Sequence, residues 1–323
     1  MRVSTMKKTV FLCLLLCVLL LSGCGSQTAQ NQAEPTPEAK RTISAAPDPA
    51  AADHFTATLY FRYQDTDLLM QESSELTILP NEPREKALVN ALVSGSKTGG
   101  EALFPPGVEV LSTQVNNGIV YVTFNEALYN RYENESDQDP NGENALRRRL
   151  AMDALTATLT ESGEYHAVQV LVRAESQVGS SMRLKNSYFL TGNDLPCDPL
   201  LRSEEHLMTP ANVAAAILRA WQQRSFDTLY PLLSSQEDYQ LRPSQALFSE
   251  TFAQSEMLLA YSLTPGSIAP DGQHAVVCVN MTLRRADGSE RVVTAWPLRL
   301  MREACTWRVS VSTLSSLMQM NGD

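Results

Sequence analysis

Two periodicities of apolar residues divide the chain after residue 54 into predicted strands and helices. Short runs in which apolar and polar residues alternate, rich in aromatic and β-branched side chains, predict strands. Longer runs with an apolar residue at every third or fourth position predict helices with one buried stripe. In the first half of the chain these patterns predict strands at 57–63, 108–115, 119–125 and 167–173, helices at 82–94 and 143–161, and a last edge strand at 183–190.

The residues between these runs mark where the elements begin and end. Asn81 offers a side-chain cap for the first helix, and Gly95 is of the residue type that commonly follows a helix end. The sequence Asn117-Gly118 predicts a tight hairpin turn, because both residues accept positive φ. The resulting order, β-α-β-β-α-β(-β), predicts an α+β fold with helices packed against one sheet.

The second half of the chain places its helices first. Thr209 and Pro210 predict a helix start, with Thr209 as the cap and Pro210 as the first helical residue. Further helices are predicted at 226–233 and within 243–259, followed by strands at 275–284, 290–301 and 306–312. This order is that of an α+β domain with a curved antiparallel sheet. Pro297, inside a strand run, indicates a sheet edge or a bulge.

The first 24 residues have the pattern of a signal peptide. A basic start at residues 2–8 precedes an apolar run at residues 10–21, which is shorter than the ~20 apolar residues that a membrane span needs. The run ends in Leu-Ser-Gly-Cys at residues 21–24, which resembles the bacterial lipobox. In that pattern Cys24 is diacylated on its sulfur and becomes the new N-terminus. The alternatives are an ordinary cleaved signal peptide and an uncleaved anchor.

Residues 25–53 predict a flexible tether, because they contain no aromatic residue and are rich in Ala, Pro, Gln, Ser and Thr. We therefore expect a protein held on the extracytoplasmic face of a bacterial membrane by its lipid anchor. The expected segments are a signal peptide (1–23), the lipidated cysteine with a linker (24–53), a first domain (54–191), a second linker (192–207) and a second domain (208–319).

Composition and charge narrow the range of partners. Hydrophobic residues make up 43% of the chain and charged residues 19%, which suits folded domains. The formal net charge is −10, and removal of the signal peptide leaves 23 basic against 36 acidic residues, or −13. Nucleic acid is an unsuitable partner for such a chain, because few cations are available to neutralise phosphates.

No motif for catalysis or for cofactor binding stands out. The sequence has no GxSxG, no P-loop, no GxGxxG followed by a ribose-binding acid and no HExxH, and its four histidines are not spaced like metal ligands. We expect no enzymatic activity, no catalytic residue and no cofactor. Three cysteines follow Cys24, so at least one stays unpaired in a monomer. Cys278 and Cys305, both on predicted strands, could form a cross-strand disulfide or remain free.

An acidic loop at 133–144 offers a weak calcium candidate. Asp137, Asp139 and Asn141 match the first positions of an EF-hand loop, but the twelfth position is Arg148 where that loop needs Glu. A solvated acidic loop is the main interpretation. The three arginines at 147–149 are interpreted as local charge compensation, with a site for phosphate or a wall polymer as the alternative.

The first half resembles the GerMN, or Germane, domain of spore-forming and related Gram-positive bacteria. The segments that carry the resemblance are 59–61, 87–95, 104–112, 118–124 and 168–172. The resemblance implies an envelope lipoprotein linked to sporulation and germination, and a binding or assembly module to which no catalytic residues are attributed. The acidic loop at 133–144 departs from the family, which often has a short Gly-Gly-Ser type of loop there.

The second half resembles NTF2-like domains at 213–221, 226–233 and 307–309. Some members of that family hold a polar catalytic group inside a cone, and His274 and Asn280 are the candidates here. The alternative is that His274 ends a strand and Asn280 lies on the polar side of one. Trp221, Trp296 and Trp307 are predicted to pack the core.

Together these patterns predict a lipid-anchored protein whose GerMN-like domain binds an unidentified envelope or membrane protein. The alternative is a small-ligand-binding or enzymatic protein that uses the cone of the second domain. A cone lined by polar groups around His274 and Asn280 would favour the alternative. A cone filled by Leu, Val and Trp would favour the binding module.

Overall fold

A long antiparallel hairpin opens the structure. Strand β1 (Asp53–Arg62) pairs with strand β2 (Leu69–Ile78) over ten residues each. The computed structural model describes residues 53–139, 142–174, 180–190, 193–235 and 242–318. Only the first strand of the hairpin is predicted from the sequence. Strand β2 has polar residues on its buried side, where Glu72 and Ser74 are 2% and 5% exposed. The search for alternating apolar and polar residues does not detect such a strand.

The Glu72 carboxylate fastens a neighbouring loop to the hairpin. It accepts hydrogen bonds from the hydroxyls of Ser96 (2.5 Å) and Thr98 (2.7 Å) and from the backbone N–H groups of Lys97 (3.1 Å) and Thr98 (3.2 Å). Burial raises the pKa of the Glu72 carboxyl, but these hydrogen bonds outweigh it and leave the pKa below its ordinary value.

Helix α1 (Arg84–Ser94) ends as predicted and begins later than predicted. Gly95 follows it with a φ of 92°, a conformation that glycine adopts without strain. The predicted cap at Asn81 is wrong. Asn81 lies in a turn with a φ of 68°, and Pro83 occupies the cap position without a side-chain hydrogen bond.

A five-stranded sheet forms the rest of the first half. Its strands are β3 (Val110–Asn116), β4 (Ile119–Asn125), β5 (Ala167–Arg173), β6 (Met182–Arg183) and β7 (Leu200–Leu201). Their order is β3-β4-β5-β6, and β7 also pairs with β5. Strands β3 and β4 form the predicted hairpin, with positive φ at Asn117 (50°) and Gly118 (73°). Strands β4 and β5 are parallel, and helix α2 (Glu143–Thr160) provides the crossover that parallel strands require.

The predicted edge strand at 183–190 is mostly wrong. Strand β6 is two residues long, and a 3₁₀ helix at Asn186–Phe189 follows it. Its last two residues, Tyr188 and Phe189, are both buried. Successive side chains of a strand point to opposite faces of the sheet, so a strand would bury only one of the two rings on a given side. The helical turn buries both.

The residues predicted as a second linker lie against the first half. Strand β7 pairs with the start of β5, and Leu69 at the start of β2 donates its N–H to the carbonyl of His206 (2.7 Å). Further on, the Tyr63 hydroxyl donates to the carbonyl of Pro231 (2.8 Å). The domain boundaries at 191 and 208 stay a prediction.

The second half begins with three helices, α3 (Pro210–Gln222), α4 (Phe226–Leu229) and α5 (Gln245–Phe252). The predicted start of α3 is confirmed. The Thr209 hydroxyl accepts the N–H of Asn212, and Pro210 is the first helical residue. Helix α5 lies within the predicted 243–259, and the chain enters a strand at Met257.

A four-stranded antiparallel sheet, curled into a half-barrel, completes the fold. Its strands are β8 (Met257–Ile268), β9 (His274–Arg284), β10 (Glu290–Glu303) and β11 (Thr306–Arg308), in the order β11-β10-β9-β8. The sequence prediction misses β8, since Pro265 and Gly266 give it the look of a turn. They form a bulge between Thr264 and Ser267 instead. The α+β class is thereby confirmed for both halves.

The last strand ends earlier than predicted. Strand β11 stops at Arg308, and helix α6 (Val311–Met318) occupies the following residues. The expected irregularity near Pro297 is confirmed, since the register of β9 and β10 shifts between Val293 and Trp296. No helix among the described residues is both long enough and apolar enough to cross a membrane.

Candidate interaction surface

The sheet β3–β7 has two faces of different character. Residues that pair directly across neighbouring strands project from the same face, so the register assigns each side chain to one of them. The inner face carries Val120, Val122 and Phe124 of β4 and Val168 and Val170 of β5, which are at most 1% exposed. They belong to the same core as the apolar side of α2.

The opposite face carries the alternate residues, of which Thr123, Ala167 and Gln169 are buried and the others are partly exposed. Ile119 and Tyr121 of β4 and Leu171 of β5 lie on this face, and all three are half-buried. Arg183 of β6 pairs with Leu171, and Arg173 follows two positions later on β5. An aromatic ring, two aliphatic side chains and two cations therefore share this face.

Lys185, which follows the buried Leu184, adds a third cation to this face. Leu184 is fully buried, and Lys185 is extended, with φ −95° and ψ 152°. Because side chains alternate along extended backbone, Lys185 returns to the side of Arg183. We call this surface the outer face, formed by Ile119, Tyr121, Leu171, Arg173, Arg183 and Lys185.

The cations of the outer face lack partners in the part of the chain that the structure describes. None of Arg173, Arg183 and Lys185 forms an ion pair there, and none of the five strands contains Asp or Glu. Arg148 shows the contrast, since it is 4% exposed and pairs with Glu135 at 3.3 Å. Acidic residues nevertheless lie close by, because Lys185 pairs with Pro196, and the exposed Asp194 and Asp198 flank Pro196.

The buried charges of the first half hold the fold together. Arg62, 2% exposed, donates to both carboxylate oxygens of Glu143 (2.5 and 3.2 Å) and to the carbonyl of Thr66 (2.7 Å). The Tyr60 hydroxyl donates to Glu161 at 2.7 Å. Burial and this hydrogen bond raise the pKa of Tyr60. These groups link distant segments, and their polar atoms are already engaged.

The calcium candidates serve other purposes in the structure. Both carboxylate oxygens of Asp139 accept hydrogen bonds from the first two N–H groups of α2, each at 2.7 Å. Asp137 is 88% exposed at its side chain and pairs with Arg131 at 2.8 Å. Asn141 and the lipidation candidate Cys24 lie outside the described residues. Within the described ranges, no three potential metal ligands come together.

The three arginines behind that loop do not converge. Arg147 pairs with Glu143 at 3.3 Å, Arg148 is buried, and Arg149 lies 4.6 Å from the centre of the Phe189 ring. For Arg147 and Arg148 this agrees with local charge compensation. The arrangement does not form a pocket of three guanidinium groups for one phosphate.

In the second half, the two cone candidates point away from the packed face of the sheet. His274 Nδ1 lies 2.8 Å from Asp271 Oδ2, and the His274 side chain is 65% exposed. Asn280 Oδ1 accepts the N–H of Ala295 (2.9 Å), which satisfies the backbone at the bulge of β10. The alternate residues of β9 fill the interior and are at most 2% exposed: Ala275, Val277, Val279, Met281 and Leu283.

All three tryptophans pack against the core as predicted. Trp221 and Trp307 are 0% and 5% exposed, and Trp296 is half-buried. The Trp221 indole N–H donates to the carbonyl of Glu256 at 3.0 Å. The described cysteines are all free, the first buried and the others half-buried: Cys197, Cys278 and Cys305.

Sequence reasoning missed the outer face as a group. Two signals were available in the sequence: Tyr121 lies on the polar side of an alternating strand, and the strands around it lack acidic residues. Arg173 and Arg183 are ten positions apart in the sequence. Only the pairing of β5 with β6 brings their side chains to one surface.

Residues 58–177 match the model of the Germane family, described as sporulation and spore germination. The resemblance of the first half to this family is thereby confirmed. No curated protein matches the chain. No comparison confirms the NTF2-like resemblance of the second half, which stays a prediction.

Solved structures with weak overall similarity include two of the sporulation protein GerM from Bacillus subtilis. Its tandem GerMN domains share 19% identity, with 50% of each chain covered and a TM-score of 0.30. Its first GerMN domain shares 17% identity, with 46% of this chain and 98% of that chain covered and a TM-score of 0.30. A SEC-C motif containing protein from Rhodopseudomonas palustris shares 16% identity, with 32% and 76% covered and a TM-score of 0.25. The chain thus spans half the length of the first of these structures.

Proposed function

We propose that this chain is a lipid-anchored protein of the bacterial cell envelope, whose first half is a non-catalytic module that binds another envelope protein during sporulation or germination. The Germane match at 58–177 supplies the biological setting. The observation that supports the molecular role is the outer face, where the partly exposed Tyr121 and Leu171 share one side of the sheet with Arg173 and Arg183. Tyr and Arg are enriched at protein–protein interfaces.

The cavity at the hairpin end of the first half is smaller than a typical small-molecule pocket. The cavity between β1, α1 and the end of α2 has a volume of about 200 Å³ and is lined in part by Phe55, Leu88 and Tyr165. Pockets for small molecules typically have ~300–1,000 Å³.

The anchor in this proposal rests on the sequence around Cys24 and on the tether at 25–53. One acyl chain binds a membrane only marginally, whereas two hold a protein stably. If Cys24 carries the lipid, the substitution Cys24→Ala in the full-length chain should release the protein from the membrane fraction. Retention of the variant in the membrane fraction would show that another segment anchors the chain.

The binding function can be tested by photocrosslinking in the host cell. The full-length chain would carry p-benzoylphenylalanine at one position per variant, namely Tyr121, Leu79 or Tyr129 in the first half, or Val292 in the second. Leu79, Tyr129 and Val292 are exposed. We expect one envelope protein to be crosslinked from first-half positions and not from position 292. Crosslinks from position 292 alone, or no protein crosslink from a folded chain, would refute the proposal.

The packing of the second half supports this function over the alternative of a ligand-binding or enzymatic cone. Val277, Val279 and Leu283 on the inward side of β9 are fully buried, so the interior of the curled sheet is occupied by side chains. His274 and Asn280 lie on the other side of the strand and are engaged with Asp271 and Ala295.

A further inference from the structure

We infer that the edge of β1 that does not pair with β2 binds an extended segment of the partner protein, which adds a strand to the hairpin and places one large apolar side chain in the cavity beside it. The inference rests on the proposed function and names the way in which the partner is held. The cavity between β1, α1 and the end of α2, lined among others by Thr56, Thr58, Leu88 and Tyr165, is called the edge cleft. A partner could bind the first half at another surface without it.

The edge cleft lies at the side of β1 and not above one of its faces. Four consecutive residues of β1, from Phe55 to Thr58, line the cleft, and none of the described residues that line it belongs to β2. Because the side chains of a strand alternate between its two faces, a cavity that touches four consecutive residues lies along an edge of the strand. This edge is the one that faces away from β2.

The register of the hairpin shows which backbone groups face the edge cleft. The carbonyl of Arg62 accepts the N–H of Glu101 (2.9 Å), so the backbone groups of Arg62 face away from β2. Positions that bond to the partner strand and positions that face outward alternate along an antiparallel strand, and β1 pairs with β2 without a register shift. The N–H and C=O groups of Thr56 and Thr58 therefore point towards the cleft. In the part of the chain that the structure describes, these groups form no hydrogen bond.

Backbone groups arranged in this way are complementary to the backbone of another extended chain. Thr56 and Thr58 offer two donors and two acceptors about 7 Å apart along the strand, which is the repeat at which an added strand presents its own groups. The cleft has a volume of about 200 Å³, and a cavity of ~150 Å³ already holds a benzene ring. Because Leu88 and Leu159 are among its lining residues, the cleft suits one large apolar side chain of the added strand.

The walls of the edge cleft are held in place by contacts of their own. The Tyr165 hydroxyl donates to Glu85 Oε1 at 2.5 Å, which joins the loop after α2 to the start of α1. The Arg84 guanidinium lies 4.4 Å from the centre of the Phe55 ring and joins α1 to β1. The cleft is thus formed in the free protein, which lowers the entropic cost of binding.

A lone segment suits the edge cleft better than the same edge of a second copy of this chain does. The end of α2 and the residues that follow it, from Thr158 to Tyr165, stand beside β1 along the cleft. In two copies joined edge to edge, these residues of both copies would compete for the same space. An extended segment brings no wall of its own and can enter the cleft from the open side.

The charges around the edge cleft disfavour an acidic segment. Glu85 and Glu164 line it together with the Arg84 guanidinium. Glu161 also lines the cleft, but it pairs with Arg202 at 3.0 Å. The lining thus keeps a small excess of negative charge, and we expect a neutral or weakly basic segment with a large apolar residue.

The test places p-benzoylphenylalanine at Ser162, an exposed residue on the wall of the edge cleft, in the full-length chain in the host cell. We expect a crosslink to one envelope protein, mapped by mass spectrometry to a segment with a large apolar residue. Adding Thr56→Pro should lower the yield about tenfold, because proline removes an outward N–H and its ring obstructs an added strand. The control Thr77→Pro changes an exposed threonine whose N–H points outward from the opposite edge of the hairpin, and it should leave the yield unchanged. Neither proline removes a hydrogen bond between β1 and β2.

Hydrogen exchange provides a second measurement that needs no variant. A synthetic peptide with the crosslinked sequence should slow amide exchange at Thr56 and Thr58 of the full-length chain by about tenfold or more. Exchange at Ser73 and Thr77, on the opposite edge of the hairpin, should stay the same. Unchanged exchange at Thr56 and Thr58 with saturating peptide would show that no strand is added, and it would overturn the inference.

The remaining outcomes also overturn the inference. A crosslink from position 162 to lipid, to a second copy of this chain or to residues 25–52 of the same chain would assign the edge cleft to a different occupant. An unchanged yield with Thr56→Pro, or equal losses with the two prolines, would show that this edge of β1 has no special role. If position 162 gives no crosslink while position 121, 79 or 129 does, the inference fails and the proposed function stands. If no first-half position crosslinks a protein, both fail.

Discussion

His206 Nδ1 lies 2.7 Å from Asp153 Oδ2, and both side chains are close to nine-tenths buried. The backbone of His206 is held as well, because its carbonyl accepts the N–H of Leu69. One residue therefore connects helix α2 and the hairpin strand β2 to the segment that leads into the second half. The hydrogen bond to Asp153 raises the pKa of His206, against the opposite effect of its burial.

The His206–Asp153 contact makes stability depend on pH in a defined direction. Because the folded-state pKa is raised, the contribution is fully present below the unfolded pKa of about 6.5 and is lost as the pH rises through the folded pKa. We expect His206→Gln to lower the free energy of unfolding by about 1–2 kcal/mol near pH 5.5 and by less at pH 8.5. Urea unfolding at both pH values measures this. The exposed His274→Gln serves as control, and a loss equal at both pH values would contradict the prediction.

Glu72 is predicted to be essential for the stability of the hairpin. In Glu72→Ala, the loop groups that donate to its carboxylate lose their acceptor, which should cost about 3 kcal/mol in unfolding free energy. The neighbouring Glu75→Ala removes an exposed carboxylate from the same strand and should cost less than about 0.5 kcal/mol. Chemical denaturation of the two variants provides the comparison. Similar losses would show that the hydrogen bonds of Glu72 contribute little.

The Arg148–Glu135 pair is predicted to behave as a unit. Arg148→Met leaves Glu135, only 9% exposed at its side chain, with the more distant Arg131 (3.9 Å) as its counter-charge, and should cost about 3 kcal/mol. Glu135→Gln in the Arg148→Met background removes the weakly paired charge and should recover part of that loss. A double-mutant cycle from unfolding curves measures the coupling. Additive losses would mean that the two side chains act independently.

Asp139 is predicted to act as a cap for α2, not as a metal ligand. Asp139→Ala should lower the free energy of unfolding by about 1 kcal/mol, because two N–H groups of the helix lose their acceptor. Asp137→Ala, which changes an exposed side chain, should have little effect. The unfolding temperature of the unmodified chain should be the same with calcium at millimolar concentration and with a chelator. Stabilisation by calcium that Asp139→Ala abolishes would show a metal site instead.

The sequence by itself determined the elements that local rules encode. Strands β4 and β5 lie where alternating apolar residues predict them, the turn at Asn117-Gly118 has the predicted positive φ, and Thr209 caps its helix. In each case the information lies within a few consecutive residues. The resemblance to the Germane family also rests on short local segments, from 59–61 to 168–172.

Only the tertiary structure decided the elements whose reason lies elsewhere in the chain. Strand β2 is formed with Glu72 inside because the donors that satisfy it come from the loop at 96–98, and β8 continues through Pro265 because β9 pairs with it on both sides of the bulge. The outer face follows the same logic. Its charges are ordinary in the sequence, and they become a surface because strand register places side chains that are distant in sequence on one side of a sheet.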